Sequence, residues 1–144
     1  MIELDKFIKI FEGLTSAYGQ TIKTDQFSEK GKHKTKSFTI SNPVTKKLWR
    51  EHLEGKDPAL GIVPINKENK CKWGCIDIDT YPFDHKKFIQ KLKQKNIPMI
   101  VCRSKSGGAH AFLFTKDFVP ATVMRVKLKV IASAMGFASA EIFP

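Results

Sequence analysis

No stretch of the 144 residues approaches the roughly 20 consecutive apolar positions that a membrane-crossing helix needs. The first residues, Met1 to Asp5, lack the basic start and apolar block of a secretory leader, so the expected compartment is the cytoplasm. Three cysteines at scattered positions make no disulfide framework, which favours a reducing environment. There is no internal repeat and no low-complexity linker. Acidic residues are scarce: 14 Asp and Glu stand against 25 Lys and Arg, a formal net charge of +11. These absences exclude a membrane protein, a secreted mini-protein and a coiled coil. What is present, 42% hydrophobic and 27% charged residues, is enough to bury a core. The positive surplus favours an anionic partner, most simply nucleic acid or nucleotide.

Leu4, Phe7, Ile8, Phe11, Leu14 and Tyr18 recur at helical steps and predict an amphipathic first helix. From Gly19 to Ser37 the pattern dissolves. Lys30, Lys32, Lys34 and Lys36 alternate around Gly31 and His33 with nothing apolar to bury, which reads as a mobile surface loop or ribbon. Phe38 and Ile40 begin a short strand, and Asn42-Pro43 starts a helix that Gly55 stops. Beyond Gly55 strands and helices alternate: strands over 60–64 and 73–79, a helix over 84–94, strands over 99–102 and 109–115. A helix carrying Met124, Leu128, Ile131 and Met135 follows, closed by Gly136. Residues 140–144 read as the opening of a strand, and the chain is expected to be cut there. The class is a single α+β domain.

Asp77 and Asp79 flank Ile78 at the end of a predicted strand, so both carboxylates point to one face. Two carboxylates so placed repel each other, and a bound divalent cation resolves the conflict. The plainer alternative is a solvated acidic strand end, for D-x-D is common. Between two predicted strands lies Arg103-Ser104-Lys105-Ser106-Gly107-Gly108-Ala109-His110. Gly107 and Gly108 permit backbone amides to converge on an anion, Ser104 and Ser106 add hydroxyls, Arg103 and Lys105 add charge, and His110 can donate to a phosphate oxygen. The spacing is not that of a Walker loop, and a Gly-rich hairpin with basic flanks explains the run equally well. Glu141, a surface charge by default, gains weight as a third acidic ligand. Cys71 and Cys75 lack the paired spacing of a zinc site, so Cys75 and Cys102 are expected to be small core residues.

Taken together, Asp77-Ile78-Asp79, then Gly108-Ala109-His110 preceded by Ser104-Lys105-Ser106-Gly107, and then Glu141 before Ile142-Phe143-Pro144 resemble three ordered motifs. They are those of the archaeo-eukaryotic primase superfamily, specifically the TOTE-type primase-polymerases of phages and mobile elements. The likeness runs from about Phe7 to the last residue. It implies an α+β catalytic core, a mixed or antiparallel sheet flanked by helices, truncated at its C-terminus. Residues 1–56 would form a helical, basic part and 57–144 a metal- and nucleotide-binding α/β part. It further implies nucleotidyl transfer on single-stranded DNA. Asp77, Asp79 and Glu141 would hold two Mg²⁺ or Mn²⁺ ions. Ser104, Lys105, Ser106, Gly107, Gly108 and His110 would hold an incoming dNTP or NTP. Lys30, Lys32, Lys34, Lys36 and Arg103 would track template and primer, with a replicative helicase as a partner and the host cytoplasm as the setting. As a fragment, the chain is expected to polymerise weakly or not at all.

Two other readings stay open on these residues. A noncatalytic single-strand-binding module would use the basic surface with Trp49, Trp73 and phenylalanines as stacking platforms. A metal-dependent nuclease would use the same acids and histidine to cleave strands without added nucleotide.

Overall fold

Residues 3–29, 31 and 33–144 are described by a computed structural model, and they gather into two units, Met1–Asn66 and Lys67–Pro144. The first unit begins with helix α1, Leu4–Ile10, shorter than the periodicity to Tyr18 predicts. The chain leaves the helix because it is needed elsewhere. Leu14 N donates to Val63 O at 2.9 Å, and Gly13 lies so close that a Cβ there would collide with the same carbonyl. Tyr18 instead opens strand β1, Tyr18–Phe27, which pairs antiparallel with β2, His33–Ile40. Helix α2, Lys46–Leu53, starts after Asn42-Pro43, because the capping residue is Thr45, whose side chain accepts from Leu48 N. Strand β3, Ala59–Gly61, joins β1 to complete a sheet ordered β2-β1-β3. Phe7 packs on Phe11 at 4.9 Å and edge-on against the buried Trp49 at 5.9 Å, tying α1 to α2.

The segment expected to be a mobile loop or ribbon is thus a hydrogen-bonded hairpin. Its backbone ladder is reinforced by Thr21 and Ser37, whose hydroxyls meet at 3.0 Å, and by Thr24 Oγ1, which donates to Lys34 O at 3.0 Å. Most of its side chains are exposed, so the apolar alternation that marks a half-buried strand is missing from the sequence. Lys34, Lys36 and Phe38 share one face of β2 by the two-residue period. Lys36 Nζ stands 5.3 Å from the Phe38 ring centre. Lys30 and Lys32 lie outside the described residues.

The second unit is built on β4, Lys70–Ile78. It continues through α3, His85–Gln94, β5, Met99–Arg103, β6, Ala109–Pro120, α4, Ala121–Met135, and β7, Glu141–Phe143. The sheet is ordered β5-β6-β4-β7 and every pair is antiparallel, which makes the protein α+β. Ile76 and Ile78 of β4, with Ala109, Ala111 and Leu113 of β6, turn toward the helices. There they form one core with Phe88, Leu92, Met124, Leu128, Ile131 and Met135. Gly74 lets α4 lie directly on β4, for a Cβ there would come within 2.6 Å of Leu128 Cδ1 and 2.8 Å of Phe143 O. Asp84 caps α3 by accepting from Lys87 N at 3.0 Å, and Gly136, at φ +87°, ends α4.

Cys71 and Cys75 are buried as small core side chains, and burial, with the neighbouring Asp77 second, pushes the Cys75 thiol up to about 12. Cys102 departs from expectation. It is exposed, because β5 is an edge strand and Cys102 lies on the face away from the helices. Among the described residues no helix is long and apolar enough to cross a membrane.

Candidate active site

The central strand β4 carries Asp77 opposite His110 of β6 on one side and opposite Glu141 of β7 on the other. Residues directly opposite in an antiparallel pair project to the same face. Three residues that are far apart in sequence therefore stand in one row on the helix-free face, and Cys102 continues the row beyond His110. Ile76 and Ile78, on the opposite parity, anchor the row by filling the core beneath it. Strand register alone brings Asp77, His110 and Glu141 together, and Asp79, beyond the end of β4, is not in the row.

Asp77 is the most constrained of these groups. Its Oδ1 is buried and has no hydrogen-bond partner. His110 Nε2 stands 3.4 Å away, close enough to pair electrostatically but outside hydrogen-bond alignment. Burial raises the Asp77 carboxyl above its ordinary range. Attraction from His110 lowers it, and repulsion from Asp79 and Glu141 raises it further. A half-buried carboxylate whose buried oxygen lacks a hydrogen bond, and which two other acids crowd against the single attraction of His110, offers oxygen donors of the kind a divalent cation takes. Among the described residues no three His, Cys, Asp or Glu side chains are closed up as a ready-made metal cage. Asp79 and Glu141 remain exposed.

A pH dependence follows from the raised Asp77 carboxyl. The folded protein holds this proton more tightly than the unfolded chain. Its contribution to stability is therefore full below the ordinary carboxylate value of 3.8 and is lost as pH rises through the folded value. In thermal melts without divalent cation, the wild-type curve should fall relative to Asp77→Asn across that window and run parallel to it above. Curves that stay parallel throughout would remove the account of Asp77 as a strained acid.

Asp79 lies one residue past the end of β4 and takes a different partner. The Tyr81 hydroxyl donates to Asp79 Oδ1 at 2.9 Å and also meets Ser106 Oγ at 2.6 Å, which in turn lies 3.2 Å from Ser104 Oγ. The acid strand is thereby joined to the β5–β6 loop. That loop is a tight turn in which Ser104 N donates to Gly108 O and Gly107 N to Ser104 O, each at 3.0 Å. The Gly107 amide, read from the sequence as a donor to an anion, is thus engaged within the turn, where φ is +100°. Gly108 is required for another reason: a Cβ there would collide with Ile78 O, so the loop rests directly on the end of β4. Ser104 is buried, whereas Lys105 and Arg103 are exposed.

His85, at the first turn of α3, brings its Nε2 to 2.8 Å from Gly108 O. A carbonyl only accepts, so Nε2 carries the proton and the tautomer is fixed. On this flank an open groove of about 580 Å³ is lined by Pro82, Phe83, Asp84, His85, Lys86 and Arg103. Tyr81 and His85 belong to no spacing motif in the sequence, and only the approach of 81–85 to the loop reveals them.

An acid row on an antiparallel sheet thus stands near a small-residue loop of hydroxyls tied to Asp79, and the family match makes the class a primase-like nucleotidyltransferase domain. The profile of the TOTE conflict system archaeo-eukaryotic primase domain matches residues 6–142, and the chain belongs to that family. No curated protein matches it.

Proposed function

We propose that this domain is a primase-polymerase, extending or starting a primer on single-stranded DNA by nucleotidyl transfer from a dNTP or NTP. The observation that carries the reading is the orphaned Asp77 Oδ1 in a row with His110 and Glu141. Mg²⁺ or Mn²⁺ held by Asp77, Asp79 and Glu141 would activate the 3′-hydroxyl and offset the charge on the departing pyrophosphate. Ser104, Ser106 and Lys105 hold the triphosphate, with His110 donating to a phosphate oxygen as charge develops there. Gly107 and Gly108 shape the loop that presents these donors. Arg103 and Lys86 place positive charge along the neighbouring groove, where further phosphates of template or primer can lie. A mobile element's conflict or replication system is the setting, with a helicase to expose the template.

Within the first unit, Lys34 and Lys36, beside the exposed Phe38 ring, form a phosphate-and-stacking surface for DNA without sequence readout. Lys30 and Lys32 are assigned to DNA binding from sequence alone. Lys36→Ala should weaken single-stranded DNA binding and lower the slope of log affinity against log salt by about 0.7. It should leave cation-dependent nucleotide binding unchanged. Fluorescence anisotropy over a salt series reads both quantities.

The direct test is incubation with primed single-stranded DNA, dNTPs and Mn²⁺. Products longer than the primer support the reading. Shortened strands formed without nucleotide would establish a nuclease instead, and DNA bound but unaltered, with no affinity for triphosphate, would establish a binding module.

A further inference from the structure

The hydroxyl network between the acid strand and the β5–β6 loop has a determined direction. A carboxylate only accepts hydrogen bonds, so the single Tyr81 hydroxyl proton goes to Asp79 Oδ1. Ser106 must then donate to Tyr81 Oη, across 2.6 Å, because no other proton is left for that contact. With its own proton spent, Ser106 can only accept from Ser104, across 3.2 Å. All three hydroxyls therefore point, one after another, toward the charge on Asp79. The serine donors that a triphosphate would need are turned away from it.

We propose that Tyr81 is a positioning residue that couples cation binding at Asp79 to the release of the Ser104 and Ser106 donors for phosphate. The proposal rests on the nucleotidyl-transfer reading of this site. Asp79, once its charge is taken up by a divalent cation, holds the Tyr81 proton less strongly. Tyr81 is then free to donate elsewhere, and Ser106 and Ser104 can turn their protons outward to phosphate oxygens. No covalent bond changes; the protons stay on their oxygens and only the hydroxyl rotors reverse. The coupling is reciprocal, so bound triphosphate should tighten the cation by the same factor.

The side chain suits this role because it is half exposed, 52%, and carries none of the core. Removing its hydroxyl should therefore leave the fold intact. It also lies two residues from Asp79 in a segment already fastened to the loop by His85. Tyr81 thus meets Ser106 from a supported backbone.

The test measures dATP binding by equilibrium dialysis, with and without Mn²⁺, in the wild-type protein, Tyr81→Phe, Ser106→Ala and the double variant. The quantity read is the ratio of the two affinities for each protein. Formation of the Mn²⁺–nucleotide complex in solution is common to all and cancels between proteins. Tyr81→Phe should bind dATP more tightly than wild type without Mn²⁺, because its serines are no longer drawn to Asp79. Its ratio should be smaller by about 5- to 10-fold, a coupling of ordinary size. Ser106→Ala should lose affinity overall, and adding Tyr81→Phe to it should change its ratio no further. Melting temperatures of the variants should match wild type. An unchanged ratio in Tyr81→Phe overturns the proposal alone and leaves the functional reading standing. Independent effects of the two substitutions on the ratio overturn it in the same way. A wild-type protein that binds no dATP, with or without Mn²⁺, overturns both.

Discussion

Asp77→Asn is expected to slow nucleotide addition about 10²–10³-fold while making the cation-free protein more stable. The two effects have one cause. Asp77 Oδ1 is buried without a hydrogen bond, and Asp79 and Glu141 crowd the same carboxyl with like charge. Neutralising it removes that repulsion and the cost of a buried charge, and both act only in the folded state. At this chain length each kcal/mol regained moves the melting temperature by about 2–4 °C. The same carboxylate is the best-placed cation ligand in the row, and losing one preorganised electrostatic group in a reaction of this type costs about 10²–10³-fold in rate. Primer extension and thermal melts on one preparation check both halves. A variant that melts lower and still extends primers would contradict the assignment.

The second large effect belongs to Gly108. A methyl group there would run into the carbonyl oxygen of Ile78, and backbone cannot yield as a flexible side chain can. Gly108→Ala must therefore lift the β5–β6 loop off the end of β4. That strains the Ser104 N to Gly108 O bond and the contact of His85 with Gly108 O. Overpacking of this kind costs about 1–3 kcal/mol, so melting should fall by roughly 2–12 °C. Triphosphate binding should fall with it, because Ser104 and Ser106 ride on the same loop. Gly107→Ala is the comparison. Its Cβ would meet only Arg103 Nη2, at 3.7 Å, so its cost is confined to the left-handed backbone at φ +100°. Calorimetric melting with dATP titration separates them; equal losses in the two variants would remove the close approach to Ile78 as the cause.

Much of the candidate site was legible in the sequence because a strand has a period of two. Alternation along β4 by itself assigns Asp77 to the face opposite Ile76 and Ile78, and the pairing of β4 with β6 and β7 then puts His110 and Glu141 beside it. The helices of the second unit were equally plain, since Phe88, Leu92, Met124, Leu128, Ile131 and Met135 recur at helical spacing and all are buried. The β1–β2 hairpin was obscure for the opposite reason. It presents polar and charged residues on both faces, so pairing came from backbone and hydroxyl bonds that leave no hydrophobic signature.

Glycine roles and third-party partners were harder. Gly108 could be expected to matter, but its purpose, contact with Ile78 O, depends on how the loop lies over β4. Tyr81 and His85 act through contacts to Ser106 and Gly108, more than 20 residues further along the chain, and no periodicity connects them. Cys102 is apolar enough for a core, and only its position on an edge strand places it in solvent.

The central claim is that Asp77 makes triphosphate binding depend on a divalent cation. It is tested most directly by calorimetric titration of dATP into the protein with Mn²⁺, repeated without the metal and with Asp77→Asn. The account predicts saturable binding in the first titration and binding at least tenfold weaker in the other two. Binding of equal strength in the wild-type protein and Asp77→Asn would contradict it.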